Sequence, residues 1–179
     1  MTKAKHDRRT LCLYFAGLAV LGGGLWGIRD TAFPTRKPEP GWYGKVTRVL
    51  DGDTLEASNG KEKKTIRLAG VDAPEKSQPF GPESRAWLER ESQGQEVRVV
   101  ESGRDRYGRT IGAVFLGRRW FNRELVARGF AMHYAAYSND PGLAAAEQEA
   151  RAARRGLWAD DEPIPPWDWR KQDHKEPTE

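Results

Sequence analysis

From Trp42 onward the sequence predicts an α+β domain, mainly β, in which five short strands close into a small barrel and three helices pack on it, with one hydrophobic helix ahead of the domain. Three observations carry that reading. Apolar residues alternate with polar ones over several short runs, as Ile66 and Leu68 do around Arg67, which is the period of a half-buried strand. Helix signals stand between the third and fourth runs and again after the fifth. The β-then-α order is too short for the helical crossovers of a parallel sheet, so a small closed barrel fits best.

The chain begins with a basic region, residues 1–10, that carries Lys3, Lys5, Arg8 and Arg9. An uncharged stretch follows from Leu11 to Ile28, at the lower limit of length for a membrane-spanning helix. It has no polar face of the kind a buried core helix would show. A cleaved signal peptide competes with an uncleaved anchor, but Arg29 to Pro34 offers no clean small-x-small cleavage site, which favours the anchor. Arg8 and Arg9 are also compatible with a twin-arginine export signal, although such pairs are common in basic leader regions. The positive end is expected to stay in the cytoplasm. The rest then lies outside it, in the periplasm or at the cell surface, or is secreted if the signal is cut. Residues 29–41, rich in proline and charge, read as an extended linker.

The expected domain covers residues 42–160. Its strands are Tyr43 to Leu50, Thr54 to Ser58, Lys64 to Val71, Glu96 to Glu101 and Thr110 to Leu116. A helix is expected from Pro82 to Gln93, with Gly81 and Pro82 at its start and Trp87 and Leu88 facing inward. A second runs from Asn122 through Arg128 and ends at Gly129. A third covers Pro141 to Arg155, with Arg154 and Arg155 in its last turn before Gly156. In residues 161–179, Pro163, Pro165, Pro166, Trp167 and Trp169 read as a strap whose tryptophans cover an apolar patch, with a partner-binding motif as the alternative, followed by a disordered tail from Lys171.

With 37% hydrophobic and 31% charged residues, the composition excludes a chain disordered throughout. The formal net charge of +4 is unevenly spread, with a basic N-terminus and an acidic C-terminus, so the domain keeps only a mild positive excess. Such an excess is compatible with a polyanionic ligand without requiring one. The single cysteine, Cys12, lies in the hydrophobic stretch. The domain therefore has no thiol for a disulfide, a zinc site or a nucleophile, and any metal chemistry must use oxygen or histidine.

The informative polar residues cluster in Asp51-Gly52-Asp53-Thr54, in Arg67, in Asp72-Ala73-Pro74-Glu75 and in Asp105-Arg106-Tyr107-Gly108-Arg109. Each has a bland reading alone. The first is by default a tight turn closed by Asx hydrogen bonds, Arg67 a salt bridge at a barrel rim, and Tyr107-Gly108-Arg109 a hairpin turn.

Taken together and in this order, these segments resemble the staphylococcal nuclease family. The resemblance covers about Gly41 to Trp158. It rests on Val49-Leu50-Asp51-Gly52-Asp53-Thr54, on Ile66 through Glu75, and on Asp105 through Arg109, and extends through Asn122-Arg123-Glu124-Leu125-Val126, Gly129 and Arg155-Gly156-Leu157-Trp158. It implies a five-stranded OB-fold barrel with three helices, in agreement with the element count. It also implies a calcium-dependent nuclease that hydrolyses DNA or RNA and leaves 3′-phosphate ends, acting as a monomer. Under the resemblance, Asp53, Asp72 and the main-chain carbonyl of Ala73 hold one calcium ion, a hard cation that takes six to eight oxygens. Arg67 and Arg109 bind the scissile phosphate as planar forks, Glu75 orients or deprotonates the attacking water, and Asp51 orients metal-bound water. Arg106 and Tyr107 match residues near a terminal phosphate, and Tyr137 matches a base-side tyrosine, with Tyr134 as its competitor. His133 is expected to be structural. Two departures stand out: residue 73 is alanine where the best-known member has threonine, and Lys76 to Phe80 is shorter than that member's mobile loop. Relatives that have lost catalytic groups act only as binding modules, but Asp53, Arg67, Asp72, Glu75 and Arg109 are all retained here.

Overall fold

Alternation along the strands sets one wall of the core, and the long runs pair as that pattern requires. The computed structural model describes residues 39–173. The basic region, the Leu11 to Ile28 stretch and most of the linker lie outside the described residues, and among those described no helix is long and apolar enough to cross a membrane.

The elements are β1 (Trp42–Asp51), β2 (Thr54–Ser58), β3 (Lys63–Leu68), β4 (Val71–Asp72), α1 (Gly81–Ser92), β5 (Glu96–Arg104), β6 (Thr110–Leu116), β7 (Arg119–Trp120), α2 (Phe121–Ala127), β8 (Met132–His133), α3 (Pro141–Ala152), a 3-10 turn (Gly156–Ala159) and α4 (Pro166–Asp173). The five long strands run in the order β3-β2-β1-β5-β6, antiparallel throughout, and β3 closes on β6 in parallel, with Ile66 opposite Thr110 and Arg67 opposite Ile111. The result is the expected mixed five-stranded barrel on an α+β plan. Its interior is filled by Val46, Leu55, Ile66, Leu68, Val97 and Val114, each almost wholly buried and each worth about 1.5–3 kcal/mol when taken from water.

Helices α2 and α3 cap the barrel through Phe121, Leu125 and Leu143. Asn122, the second residue of α2, is fully buried. Its Oδ1 accepts from the Val114 N–H (2.9 Å), while its Nδ2 donates to the carbonyls of Ala69 (2.8 Å) and Gly112 (3.2 Å). One side chain thus ties helix, barrel and the chain leaving β3.

The structure corrects the sequence reading in four places. The third strand stops at Leu68 because Gly70 takes φ +72 and turns the chain out of the barrel, so Val71 and Asp72 pair instead with His133 and Met132 of β8. Three two-residue strands, β4, β7 and β8, were not anticipated. Helix α3 ends at Ala152, before Arg154 and Arg155, because Arg154 and Gly156 both take positive φ. The tail expected to be disordered from Lys171 begins as helix: the strap forms α4, which starts at Pro166, where proline suits the first helical turn, and runs through Lys171 to Asp173. Trp167 packs against a small apolar cluster of Met132, Ala150, Leu157 and Trp158.

Candidate active site

Two tight turns bring the carboxylates together. At the end of β1, Asp51 Oδ1 accepts from the Gly52 N–H (2.8 Å), and the chain reverses into β2. Gly52 lies against the next loop so closely that a Cβ there would overlap Ser84 Oγ and stand 2.7 Å from the Ala73 methyl. A side chain would wedge the two loops apart. With glycine present, Asp53 reaches across, its Oδ2 accepting from the Ala73 N–H (2.7 Å) and its Oδ1 from Thr54 Oγ1 (3.0 Å). Ala73 therefore meets Asp53 through its amide.

Asp72 enters from β4 and is completely buried, with Asp53 5% exposed beside it. A buried carboxylate needs a cation or several hydrogen bonds. Arg67, on β3 and opposite Thr54 in register, supplies the first cation, donating from Nη2 to Asp72 Oδ1 (2.6 Å) and contacting Asp53 Oδ2 through Nη1. Burial lowers the Arg67 pKa and the Asp72 charge opposes that shift, while the nearby charge of Arg109 adds to the lowering.

The second cation is one the sequence reading missed. Arg170, on α4, donates from Nη2 to Asp72 Oδ2 (2.7 Å) and from Nη1 to Asp72 Oδ1 (3.3 Å) and Glu75 Oε1 (2.6 Å). Burial works against its charge, but these hydrogen bonds win and raise its pKa. Glu75 itself sits on a loop braced by Gln78, whose Oε1 accepts from the Glu75 N–H (3.1 Å) and whose Nε2 donates to the Ile164 carbonyl (2.6 Å). Helix α1 begins directly beneath, and a Cβ at Gly81 would overlap the Glu75 carbonyl oxygen. Asp51 completes the acidic group. Burial raises its pKa, the Gly52 N–H counters, and the Glu75 charge raises it further.

Arg109 lies on the neighbouring side of the β3–β6 seam. The Asp105 to Arg109 segment is a hairpin turn in which Asp105 Oδ1 accepts from the N–H groups of Tyr107 (2.9 Å) and Arg109 (3.0 Å), and Arg109 Nε donates to Asp105 Oδ2 (2.6 Å). Burial works against the Asp105 charge, yet these bonds hold its carboxyl below the usual range. The turn reading of Tyr107-Gly108-Arg109 therefore holds, and the turn fixes the Arg109 side chain against Asp105. Arg109 and Tyr107 line a polar recess of about 230 Å³ with Lys63, Lys64 and Arg104. None of these last three was singled out from the sequence, although the Lys63-Lys64 pair at a strand start and Arg104 beside Asp105 were available as signals.

The remaining positions are scattered. The Arg106 guanidinium stacks over the Tyr107 ring at 4.9 Å, and Tyr107 is 68% exposed. Tyr137, 78% exposed, meets Tyr134 edge-on at 4.7 Å, and Tyr134 stacks on Trp167 at 5.0 Å. Those aromatics follow β8, the strand that pairs with Val71 and Asp72. His133 is buried on β8, with Nε2 lacking a partner.

Chemically, the arrangement joins a cation-seeking carboxylate pair to two arginine forks and a third carboxylate. Among the described residues, no three His, Cys, Asp or Glu side chains stand close enough to hold a metal by themselves. Two buried carboxylates that already gather two guanidinium charges nonetheless fit a hard dication whose other ligands are carbonyl and water oxygens.

Comparison with known proteins agrees with the sequence resemblance. Residues 65–160 match the family model described as staphylococcal nuclease homologue. An uncharacterized endonuclease of Escherichia coli is 43% identical over 129 residues, covering 72% of this chain and 84% of that protein. Another from Haemophilus influenzae is 42% identical over 130 residues, covering 72% and 73%. A micrococcal nuclease of Shigella flexneri is 38% identical over 146 residues, covering 74% of this chain and 84% of its own length.

Proposed function

Because the chain belongs to the staphylococcal nuclease family, we propose that it is a calcium-dependent phosphodiesterase that cuts DNA and RNA internally and leaves 3′-phosphate ends. The observation that carries this reading is the buried Asp53 and Asp72 carboxylate pair, bridged by Arg67 and flanked on the same loop by Glu75. One calcium ion held by Asp53, Asp72, the Ala73 carbonyl and water supplies charge neutralisation and polarises a phosphate oxygen when bound.

The chain's own residues do the rest. Arg67 presents two N–H groups to a non-bridging oxygen of the scissile phosphate, and Arg109 holds another from across the β3–β6 seam. Such forks stabilise the charge that builds on the phosphoryl oxygens as the water attacks. Glu75 accepts the proton of that water at a carboxylate oxygen, which requires it to be ionised. Asp51 orients water at the metal. Arg106 and Tyr107 hold a neighbouring phosphate, and Tyr137 supports a base by stacking.

The test is hydrolysis of single-stranded DNA by the full-length chain in calcium chloride and in EDTA, beside Glu75→Gln. Cleavage is expected in calcium alone, and the variant should lose about 10²–10⁴-fold in rate, the usual contribution of a positioned base. A folded protein that binds the DNA but never cuts it would mean a binding module instead.

We also infer that Leu11 to Ile28 tethers a monomeric enzyme to the membrane with its domain outside the cytoplasm. Immunoblots of cell fractions should show the full-mass chain in the membrane. A soluble band lighter by roughly 3 kDa, the mass of a removed leader, would instead mean secretion after cleavage.

A further inference from the structure

The contact between α4 and the catalytic carboxylates carries more than packing. Each oxygen of Asp72 is taken by a guanidinium: Oδ1 by Arg67 (2.6 Å), with Arg170 at 3.3 Å, and Oδ2 by Arg170 (2.7 Å). Asp53 Oδ2 is likewise taken, by the Ala73 N–H and by Arg67. A calcium ion that draws on both carboxylates needs oxygens facing it rather than a guanidinium, and two cations on one carboxylate edge repel each other. One arginine must therefore move.

The two differ in freedom. Arg67 lies on a barrel strand paired on both sides, to β2 and to β6, and its side chain is 17% exposed. Moving its backbone means opening the barrel. Arg170 sits on an eight-residue helix outside the barrel, and its side chain is 39% exposed. The helix is held by Trp167, which stacks on Tyr134 and packs on the Met132 cluster, and the chain just ahead of it by the Gln78 bond to Ile164. Behind it lies a mostly apolar cavity of about 210 Å³ bounded by Pro74, Phe80, Met132 and Trp169, so the seal between α4 and the body is incomplete. Arg170 is the side chain able to leave.

The geometry points to Arg170 as an internal counter-ion that holds the calcium carboxylates and Glu75 in the metal-free enzyme and is displaced when calcium enters. This rests on the calcium-dependent reading above. In the metal-free state Arg170 balances the buried Asp72 charge and masks the Glu75 oxygen that would take the proton from water. Calcium takes over the first task, and the departing guanidinium frees the second. Metal binding and unmasking of the base become one event.

The test reads calcium affinity rather than turnover. Calcium chloride is titrated calorimetrically into the full-length chain and into Arg170→Ala, with circular dichroism to confirm that each is folded. If the arginine occupies the site about nine-tenths of the time, its removal tightens calcium binding about tenfold, since apparent affinity scales with the competent fraction. Arg170→Gln, which keeps the bulk of the side chain without its charge, should show the same gain and serves if the alanine variant does not fold. Equal or weaker calcium binding in the variants overturns the counter-ion role while leaving the calcium-dependent reading intact. No calcium binding by any of the proteins overturns both.

Discussion

Arg109→Ala is expected to slow phosphodiester hydrolysis by about 10³-fold, the scale on which an arginine or an oxyanion donor contributes to a charged transition state. Stability should change by less than about 1 kcal/mol, because its ion pair to Asp105 is near the surface. Asp105 would still accept from the Tyr107 and Arg109 N–H groups, so the hairpin keeps its shape. Arg109→Lys should recover little, since a single ammonium cannot present two parallel N–H groups. Single-turnover cleavage and urea unfolding of the two variants separate these effects. A wild-type rate in Arg109→Ala would mean that Arg67 clamps the phosphate alone.

The largest loss of stability is expected from Asn122→Ala. The amide makes three hydrogen bonds inside a fully buried site, and alanine leaves the Val114 N–H and the Ala69 carbonyl without those bonds, while the Gly112 carbonyl keeps the Ala69 N–H. At about 1–3 kcal/mol for each buried group left unpaired, with some relaxation, the expected destabilisation is about 3–5 kcal/mol by urea unfolding. Activity should suffer too, because Ala69 lies three residues before Asp72 and its carbonyl is one of the groups released. A change below about 1 kcal/mol would show that water replaces the amide.

The sequence made the barrel legible because its long strands alternate, and each has enough residues for period two to register. Two-residue strands such as β4 carry no periodicity, and Val71-Asp72 read naturally as the continuation of β3 until Gly70 turned the chain. Lys171 to Asp173 reads as the start of a tail, yet these residues close α4, a helix that begins at Pro166. Asp53, Arg67 and Asp72 were recognisable from the linear order of motifs, and the structure brings those three into contact. Arg170 was not recognisable, because it meets Asp72 and Glu75 across separations of 98 and 95 residues, in a segment whose composition resembles a tail. Contacts of that range leave no local pattern.

The parallel β3–β6 seam ties catalysis to the order in which the chain folds. Every other long pairing joins segments that run antiparallel, whereas the seam unites β3 with the strand that arrives last of the five. Like the β1–β5 pairing, it joins segments far apart along the chain and forms only after a long loop has closed. Arg67 sits on one edge of that seam and Arg109 just before the other. A chain with its hairpins formed but its barrel open lacks the phosphate clamp proposed for these two arginines, and on that proposal the molecule acquires its power to cut only on becoming whole.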